Sequence, residues 1–428
     1  MPSEYQLSRI WLKNFKNLLL GGDGLQMGAL NVLIGPNGSG KSNLVRVLDF
    51  LKKASAPEVA ESQRISAFES SLISLGHYHI LDSSIKMPES VHFLFGFSRH
   101  DNRHAVINYE FELFVQNSRS IGVFRESLKE ASLAKKTSAP FVFYTQSDNA
   151  PNGSISYFEN EKKEEIQTAR LDNLPLDRLT LSIIPEALEG KGLTPNLTPI
   201  YKVRRQLLEA FSGWRFYNAN DMNLKIIRES EPKIGPSDVN VSPSGENMPI
   251  VFHNLYQDHI DFEDQINDAI RSILPATRKI RTLHSGRLRL TIEWHMEGMT
   301  EPLYLSDMSD GSVRMLCWAI ILLSPEPPSL LVIDEPEIGL HPAWMKTLAD
   351  WIKAAAEKTQ VILTTHSPDL LDHFTDCLQD ILCFKYNGHH HFTPERLSET
   401  VLGTKIKDGW ELGDLYRIGD PAIGGWPW

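Results

Sequence analysis

Hydrophobic positions change their period several times along this chain, and each change marks an element. Residues 6–20 (QLSRIWLKNFKNLLL) mix alternating and clustered apolar positions, which predicts one or two strands. Residues 29–34 (ALNVLI) form a compact apolar run, the pattern of a strand buried on both faces. A Gly-rich turn follows, and Leu44, Val47, Leu48 and Leu51 then recur at helical spacing within 43–54. From about 90 to 160, short alternating segments (VHFLFGF, VINYEFELFV, IGVF, FVFYT, SISYF) are separated by polar turns, which predicts an antiparallel β region. Stretches rich in Pro, Gly, Ser and Asn at 149–153 and 230–245 predict loops, and helical patterns fall near 201–213 and 258–273. In the final third, 330–333 and 361–365 read as strands and 342–357 as a helix. The stretch after about 395, rich in Gly, Pro and Trp, reads as mostly irregular. No apolar heptad persists for three cycles and no repeat of 20–50 residues is evident, which excludes a long coiled coil and a solenoid.

Composition narrows the class without naming a function. With 41% hydrophobic and 23% charged residues, the chain is an ordinary globular one, not a collagen-like or disordered one. Its 43 basic against 54 acidic residues give a net charge of −11, so any nucleic-acid contact must come from a local patch. Three cysteines, Cys317, Cys377 and Cys383, include no C-x-x-C pair, which suits a reducing cytoplasm and argues against a disulfide framework or a cysteine zinc site. The apolar stretch at 316–323 is too short to span a bilayer, and the first residues lack a signal pattern. The expectation is a cytoplasmic protein with no membrane partner.

Four motifs carry chemistry. Gly35-Pro36-Asn37-Gly38-Ser39-Gly40-Lys41-Ser42 is a full G-x-x-x-x-G-K-S match between a predicted strand and a predicted helix. Glycines let backbone N–H groups face phosphate oxygens, and the helix N-terminus adds its dipole. Lys41 is placed to reach the β- and γ-phosphates of ATP and the Ser42 hydroxyl to ligate Mg²⁺. In LLVIDEPEIGLHP (330–342), four apolar residues bring Asp334 to a strand end, where it can hold Mg²⁺, and Glu335 can orient and deprotonate a water. His366 follows the apolar run VILTT and can contact the γ-phosphate or the water; the plainer reading is a structural histidine. In LSDMSDGSVRML (305–316), Ser309 to Ser312 open an apolar helix and form either an anion-binding terminus or a simple N-cap.

In this order and spacing the sequence resembles ABC-type ATPases of the SMC/RecF branch, most of all the smaller relatives of the overcoming-lysogenization-defect (OLD) family. The resemblance rests on Asn14-Phe15-Lys16, Gly35 to Asn43, Ser309-Asp310-Gly311, Ile333 to Pro342 and Thr364 to Pro368. It implies an α/β P-loop NTPase head of the ABC type with an antiparallel β lobe and a helical insert. The implied division is an ATPase lobe over 1–160, an insert over 161–285 and a second ATPase lobe with a short tail over 286–428. It further implies that ATP is sandwiched in a homodimer or higher oligomer. Lys41, Ser42, Asp334 and Glu335 would then stand on one side, with Ser309 and Gly311 reaching the partner's γ-phosphate. His366 would be the switch histidine and Gly339-Leu340-His341 the D-loop equivalent. The signature reads MSDGS instead of the transporter form LSGGQ, and no Q-loop glutamine is obvious beyond Gln63 and Gln146.

Other features leave alternatives open. Trp11 or Phe15 could stack on a base or pack in the core. Arg278, Lys279, Arg281, Arg287 and Arg289 could contact phosphates or form a solvated β surface. His389-His390-His391 fits a hairpin tip better than a metal site. The tail aromatics Trp410, Tyr416, Trp426 and Trp428 could dock a partner or pack back on the head. Only 60 residues follow Pro368, and they contain no D-x-D pair, too little for an appended Toprim nuclease. The expected function is an ATPase that controls a separate nuclease or toxin in bacterial defence. The alternative is a RecF-like DNA-binding repair ATPase.

Overall fold

The computed structural model describes residues 4–57, 66–99, 106–117, 120–131, 140–146, 151–160, 162, 165–189, 191–235, 237–286 and 288–424. Gln63, Arg287, Trp426, Trp428 and part of the 149–153 loop lie outside the described residues. The apolar run at 29–34 becomes the strand Leu30–Ile34, buried at all five positions. It lies inside a six-stranded sheet ordered Trp214–Asn218, Leu330–Asp334, Gln360–Thr364, Leu30–Ile34, Ile381–Tyr386 and Phe392–Arg396. The first five strands are parallel and the last returns as an antiparallel hairpin. Continuous apolar strands of this kind need cover on both faces.

Two hydrophobic cores supply that cover. Leu33, Val332, Ile362 and Leu382 project into a core with the helix Lys41–Ala54, whose Leu44, Val47, Leu48 and Leu51 form its buried stripe. Val32, Leu331, Ile333, Val361 and Leu363 project the other way, into a core with the helices Met248–Asp258, Phe262–Ile273, Asp310–Leu322 and Met345–Ala356. The β-rich middle is an eight-stranded antiparallel sheet that includes Tyr5–Lys13, Glu89–Arg99, Val106–Asn117 and Ser120–Glu130. Its phenylalanines meet the P-loop helix at Phe50, which lies 6.2 Å from Phe93 and 6.0 Å from Phe111 between ring centroids. Residues 161–285 give one strand to each sheet: Ile166–Leu171 to the eight-stranded, Trp214–Asn218 to the six-stranded and Thr277–His284 to a three-stranded one. The longest helix among the described residues, Lys41–Ala54, has 14 residues, so no long coiled coil is present there. None of the described helices is long and apolar enough to cross a membrane.

The tail departs from the irregular structure expected of it. Beyond the strand Phe392–Arg396 it forms the helices Glu399–Lys407 and Leu412–Arg417 and a 3-10 turn at Pro421–Ile423. Its Gly and Pro residues punctuate short helices whose Leu402, Leu412, Leu415, Tyr416 and Ile423 are buried in the core with Met345–Ala356. A reciprocal cap between Glu411 and Asp414 starts the helix Leu412–Arg417. Burial of that apolar set outweighs weak local propensity.

One buried carboxylate joins the β lobe to the helices. Glu126, fully buried, accepts hydrogen bonds from Tyr109 Oη at 2.9 Å, from Tyr144 Oη, and from the backbone N–H groups of Thr180 (2.6 Å) and Leu181 (3.0 Å). The last two are free donors at the start of the helix Thr180–Ala187, so the side chain closes that terminus. Burial pushes the Glu126 carboxyl above the ordinary range while these donors pull it down. Glu126→Ala leaves two tyrosine hydroxyls and two N–H groups without an acceptor and is expected to cost about 3–5 kcal/mol in urea unfolding. Glu126→Gln, which keeps one carbonyl acceptor, is expected to cost less than half of that; equal losses in both variants would contradict the capping role.

Candidate nucleotide site

The P-loop leaves the strand Leu30–Ile34 and enters the helix Lys41–Ala54 through left-handed glycines. Gly38 has φ 76° and Gly40 φ 100°, conformations costly for other residues. A Cβ on Gly40 would also stand 2.9 Å from Leu18 Cγ. Asn17 Nδ2 donates to Gly38 O at 2.6 Å, Asn43 Nδ2 donates to Asn17 Oδ1 at 3.2 Å, and Lys16 Nζ donates to Asn43 Oδ1 at 3.1 Å. The Asn-Phe-Lys element and Asn17 therefore latch the loop from outside. Phe15 is fully buried, and half-buried Trp11 meets the His92 ring edge-on at 4.9 Å, so the structure gives both a packing role.

Lys41 is only 5% exposed. Its ammonium donates to Gly35 O at 2.8 Å, Pro36 O at 3.2 Å and Ser39 Oγ at 3.5 Å, all neutral oxygens. Burial pulls Lys41 down to about 8, against the upward pull of Glu335 and Asp334. A buried cation ringed by neutral acceptors is what an incoming phosphate would relieve. The glycine cradle and this ammonium fit a nucleotide triphosphate. The exposed Ser42 hydroxyl at the helix start and the half-buried Asp334 carboxylate are hard oxygen donors of the kind Mg²⁺ takes. Among the described residues no group of three or more His, Cys, Asp or Glu forms a separate metal cluster.

Asp334 ends its strand beside Thr364. Its Oδ2 accepts from Asn218 Nδ2 at 2.7 Å and its Oδ1 accepts from Thr364 Oγ1. Glu335 follows in the left-handed region, φ 51°, which is unusual for a non-glycine residue and is held by its N–H donating to Thr364 O at 3.1 Å. His366 Nε2 stands 3.6 Å from Glu335 Oε1, too far for a hydrogen bond. Burial, then the Lys41 charge, push His366 down to about 4, so the ring is neutral near pH 7 and the pair is not ionic. Asn37, Glu335, Glu337, His366, Ser367 and Tyr416 are among the residues around a cleft of about 550 Å³ beside the P-loop.

Of two further residues around this cleft, Glu337 has no role in the sequence reading and Tyr416 only the choice between docking a partner and packing back on the head. Glu337 Oε1 accepts from Thr365 Oγ1 at 2.6 Å, His366 N at 2.9 Å and Ser367 N at 3.1 Å, so it ties the 365–367 turn to the Glu335 loop. Its Oε2 is buried without a partner among the described residues, and burial raises its carboxyl. The second carboxylate in IDEPE is the sequence signal that could have pointed to it. Tyr416 comes from the tail and reaches both Gly35 and His366. No local pattern announces it.

Ser309 caps the helix Asp310–Leu322, accepting from Ser312 N at 3.2 Å. Asp310 pairs with Arg228 at 2.5 Å, and Gly311 lies against Trp344 and Gly339 of the loop after Glu335. Among the described residues no hydrogen bond or ion pair joins Ser309, Asp310 or Gly311 to residues 35–43. The structure thus groups Gly35 to Asn43, Asp334, Glu335 and His366 at one sheet edge, with the signature residues elsewhere on the chain. Gln146 is buried in the eight-stranded sheet, where it accepts from Thr180 Oγ1 at 3.3 Å, and does not reach the cleft. In the basic segment, Arg281 pairs with Glu293 at 2.9 Å, Lys279 with Glu263 at 3.3 Å, and Arg289 donates to Glu231 O at 3.2 Å. His389 to His391 occupy the tip of the hairpin between Ile381–Tyr386 and Phe392–Arg396, where His391 pairs with Asp82.

Known proteins share these features to different extents. The model of a family described as "AAA domain, putative AbiEii toxin, Type IV TA system" matches residues 30–372. Two Arabidopsis thaliana proteins, ABC transporter A family members 8 and 12, are 44% and 41% identical over 63 and 70 residues. Those stretches are 15% and 16% of this chain, and the chain spans only 7% of either relative. A solved SMC head, bound to the C-winged helix domain of ScpA, aligns over 92% of this chain and 98% of its own. Its TM-score is 0.50 at 13% identity, a likeness of fold. The architecture is therefore an α/β P-loop NTPase head with the fold of an SMC head. By the match across 30–372, the chain belongs to this AAA-domain family.

Proposed function

We propose that the protein is an OLD-like ATPase that dimerises around ATP and uses that closure to control a separate effector, a nuclease or toxin, in bacterial defence. The observation that carries the reading is the convergence of Lys41, Asp334, Glu335 and His366 on one sheet edge, to which no hydrogen bond or ion pair among the described residues joins Ser309 or Gly311. A signature motif with no such contact to its own P-loop is suited to a second copy, and twofold symmetry then completes two equal sites. The family description names a toxin system, and the SMC head of like fold carries a separate protein domain, which supports an effector in trans. Arg281 and Lys279 of the basic segment pair with glutamates, which lowers its net positive charge. A cytoplasmic setting accords with the free cysteines.

In this reading the P-loop N–H groups and Lys41 hold the phosphates, and Ser42 and Asp334 hold Mg²⁺. The metal, when bound, neutralises charge on the β- and γ-phosphates. Glu335 takes the proton of the attacking water and His366 orients it. Glu335→Gln is expected to lower turnover by about 10²–10⁴-fold while ATP binding persists. In size-exclusion chromatography with light scattering, the same variant is expected to hold an ATP-dependent dimer. Unchanged hydrolysis would refute the assignment. Ser309→Arg is expected to bind ATP but to remain monomeric and inactive; a dimer with wild-type turnover would remove the composite site.

Lys41 gives a test of binding alone. Because its folded value without nucleotide is about 8, the amine is largely neutral near pH 9, and phosphate contact restores its charge. ATP binding near pH 9 is therefore expected to take up close to one proton, read by calorimetry in buffers of different ionisation enthalpy. The uptake should vanish near pH 6.5, where Lys41 is already charged, and should be absent from Lys41→Gln. The effector is tested by co-purification with the product of the adjacent gene, with and without ATP.

A further inference from the structure

The tail brings a phenol into the catalytic cleft from outside the stretch matched by the family. We propose that Tyr416 is a positioning residue that fixes which ring nitrogen of His366 carries the proton. Tyr416 Oη donates its single proton to Gly35 O at 3.3 Å, and the same oxygen lies 3.3 Å from His366 Nδ1. Both contacts are satisfied together only if the phenol donates to Gly35 O and Nδ1–H donates to Oη; a phenol that donated to Nδ1 would turn a lone pair on the carbonyl. Nε2 is then a bare lone pair facing the Glu335 side of the cleft, 3.6 Å from Oε1. A lone pair at that place accepts a hydrogen bond from a water between the two groups and cannot donate to a phosphate oxygen. In the nucleotide-free chain His366 is therefore set to hold a water beside Glu335. Its value of about 4 is consistent with a neutral ring, the only form in which a tautomer is defined.

The helix that delivers Tyr416 is fastened for this purpose. Arg417 binds Asp369 at 2.5 Å, Asp372 at 3.2 Å and Asp414 at 2.9 Å, which locks the helix Leu412–Arg417 to the helix Pro368–Asp372. Gly413 lies so close to Pro368 O and Asp372 that a Cβ there would collide with both. The contact also links the histidine to the P-loop, because Gly35 O is shared between Tyr416 and Lys41. When Lys41 turns to a phosphate, Gly35 O keeps only the phenol of these two side-chain donors, which holds the histidine in register as the site fills.

The hydrolytic consequence rests on the proposed function, but the tautomer does not, and the test separates them. In the full chain labelled with ¹⁵N-histidine, the His366 signals are assigned by their loss in His366→Gln. Long-range ¹H–¹⁵N correlation is expected to show the Nδ1–H form in wild type. Tyr416→Phe removes only the hydroxyl and is expected to shift His366 toward Nε2–H. It should also lower kcat about tenfold while changing KM for ATP less than about twofold. Gly413→Ala, which displaces the helix and keeps the phenol, should do the same. A wild-type Nε2–H form, or a tautomer unmoved in Tyr416→Phe, overturns the proposal. So does a tautomer that moves with kcat unchanged, or a variant that loses only thermal stability. If wild type shows no turnover at all, the ATPase reading fails and the tautomer alone decides the assignment.

Discussion

Everything at the site depends on the register of three parallel strands. Asp334 pairs with Thr364 across one ladder and Thr364 with Leu33 across the next, so the Asp-Glu pair, the Thr-Thr-His turn and the P-loop leave the sheet at one edge. The P-loop precedes the other two by about 300 residues, and the backbone ladder makes them neighbours. Strands apolar on both faces give weak warning of a slip, since every face is equally oily. Buried amides at the opposite ends supply the missing specificity. Asn31 Nδ2 donates to Val361 O at 3.2 Å, and Gln360 Nε2 donates to Leu7 O at 2.7 Å and Gly28 O at 2.9 Å. A one-residue slip would leave these groups unpaired at about 1–3 kcal/mol each. The site is thus held in line by polar residues at the far end of its own strands.

At the near end the chain accepts the reverse condition. Lys41 is a cation among neutral oxygens, Glu337 keeps one oxygen without a partner, and Glu335 occupies a left-handed conformation that its side chain disfavours. Each is unfavourable by itself, and each is enforced by neighbours that are well paired, such as Thr364 and the 365–367 turn. Of the three, Lys41 responds directly to an incoming anion, which relieves the cost of a buried ammonium ringed by neutral acceptors. In the eight-stranded lobe the buried Glu126 meets the opposite condition, since donors surround it.

What was legible in the sequence was whatever has a short-range cause. The strand Leu30–Ile34, the helix after it and the glycine turn between them follow from apolar period and from residues that tolerate positive φ. The alternating segments of the β lobe were equally plain, because a sheet with one face on a core writes period two into its strands. The tail was misread for the opposite reason. Its helices are short and locally weak, and they exist because Leu412, Leu415 and Ile423 find a core built by residues far upstream. Tyr416 and Glu337 belong to the same class: their partners, Gly35 and the 365–367 turn, are set by sheet topology, which no local window contains. Gln146 failed as a cleft residue because its strand lies in the other sheet.

The loop after Glu335 does a second job that ties the two halves of the proposed dimer together. Gly311 at the signature helix would place a Cβ 2.9 Å from the Trp344 ring and 3.3 Å from Gly339 O. Arg314, one turn further along that helix, donates to Ala219 O, and Ala219 N donates in turn to Asp334 O at 3.2 Å. The signature helix therefore rests on the chain segment that carries Asp334 and Glu335. Packed interiors pass small displacements on because they leave no slack to absorb them. In a dimer, a shift of Ser309 and Gly311 toward the partner's phosphate would be felt at this chain's own Glu335, through Trp344 and Gly339. Glycine at 311 permits that contact; a Cβ there would press on the Trp344 ring and on Gly339 O.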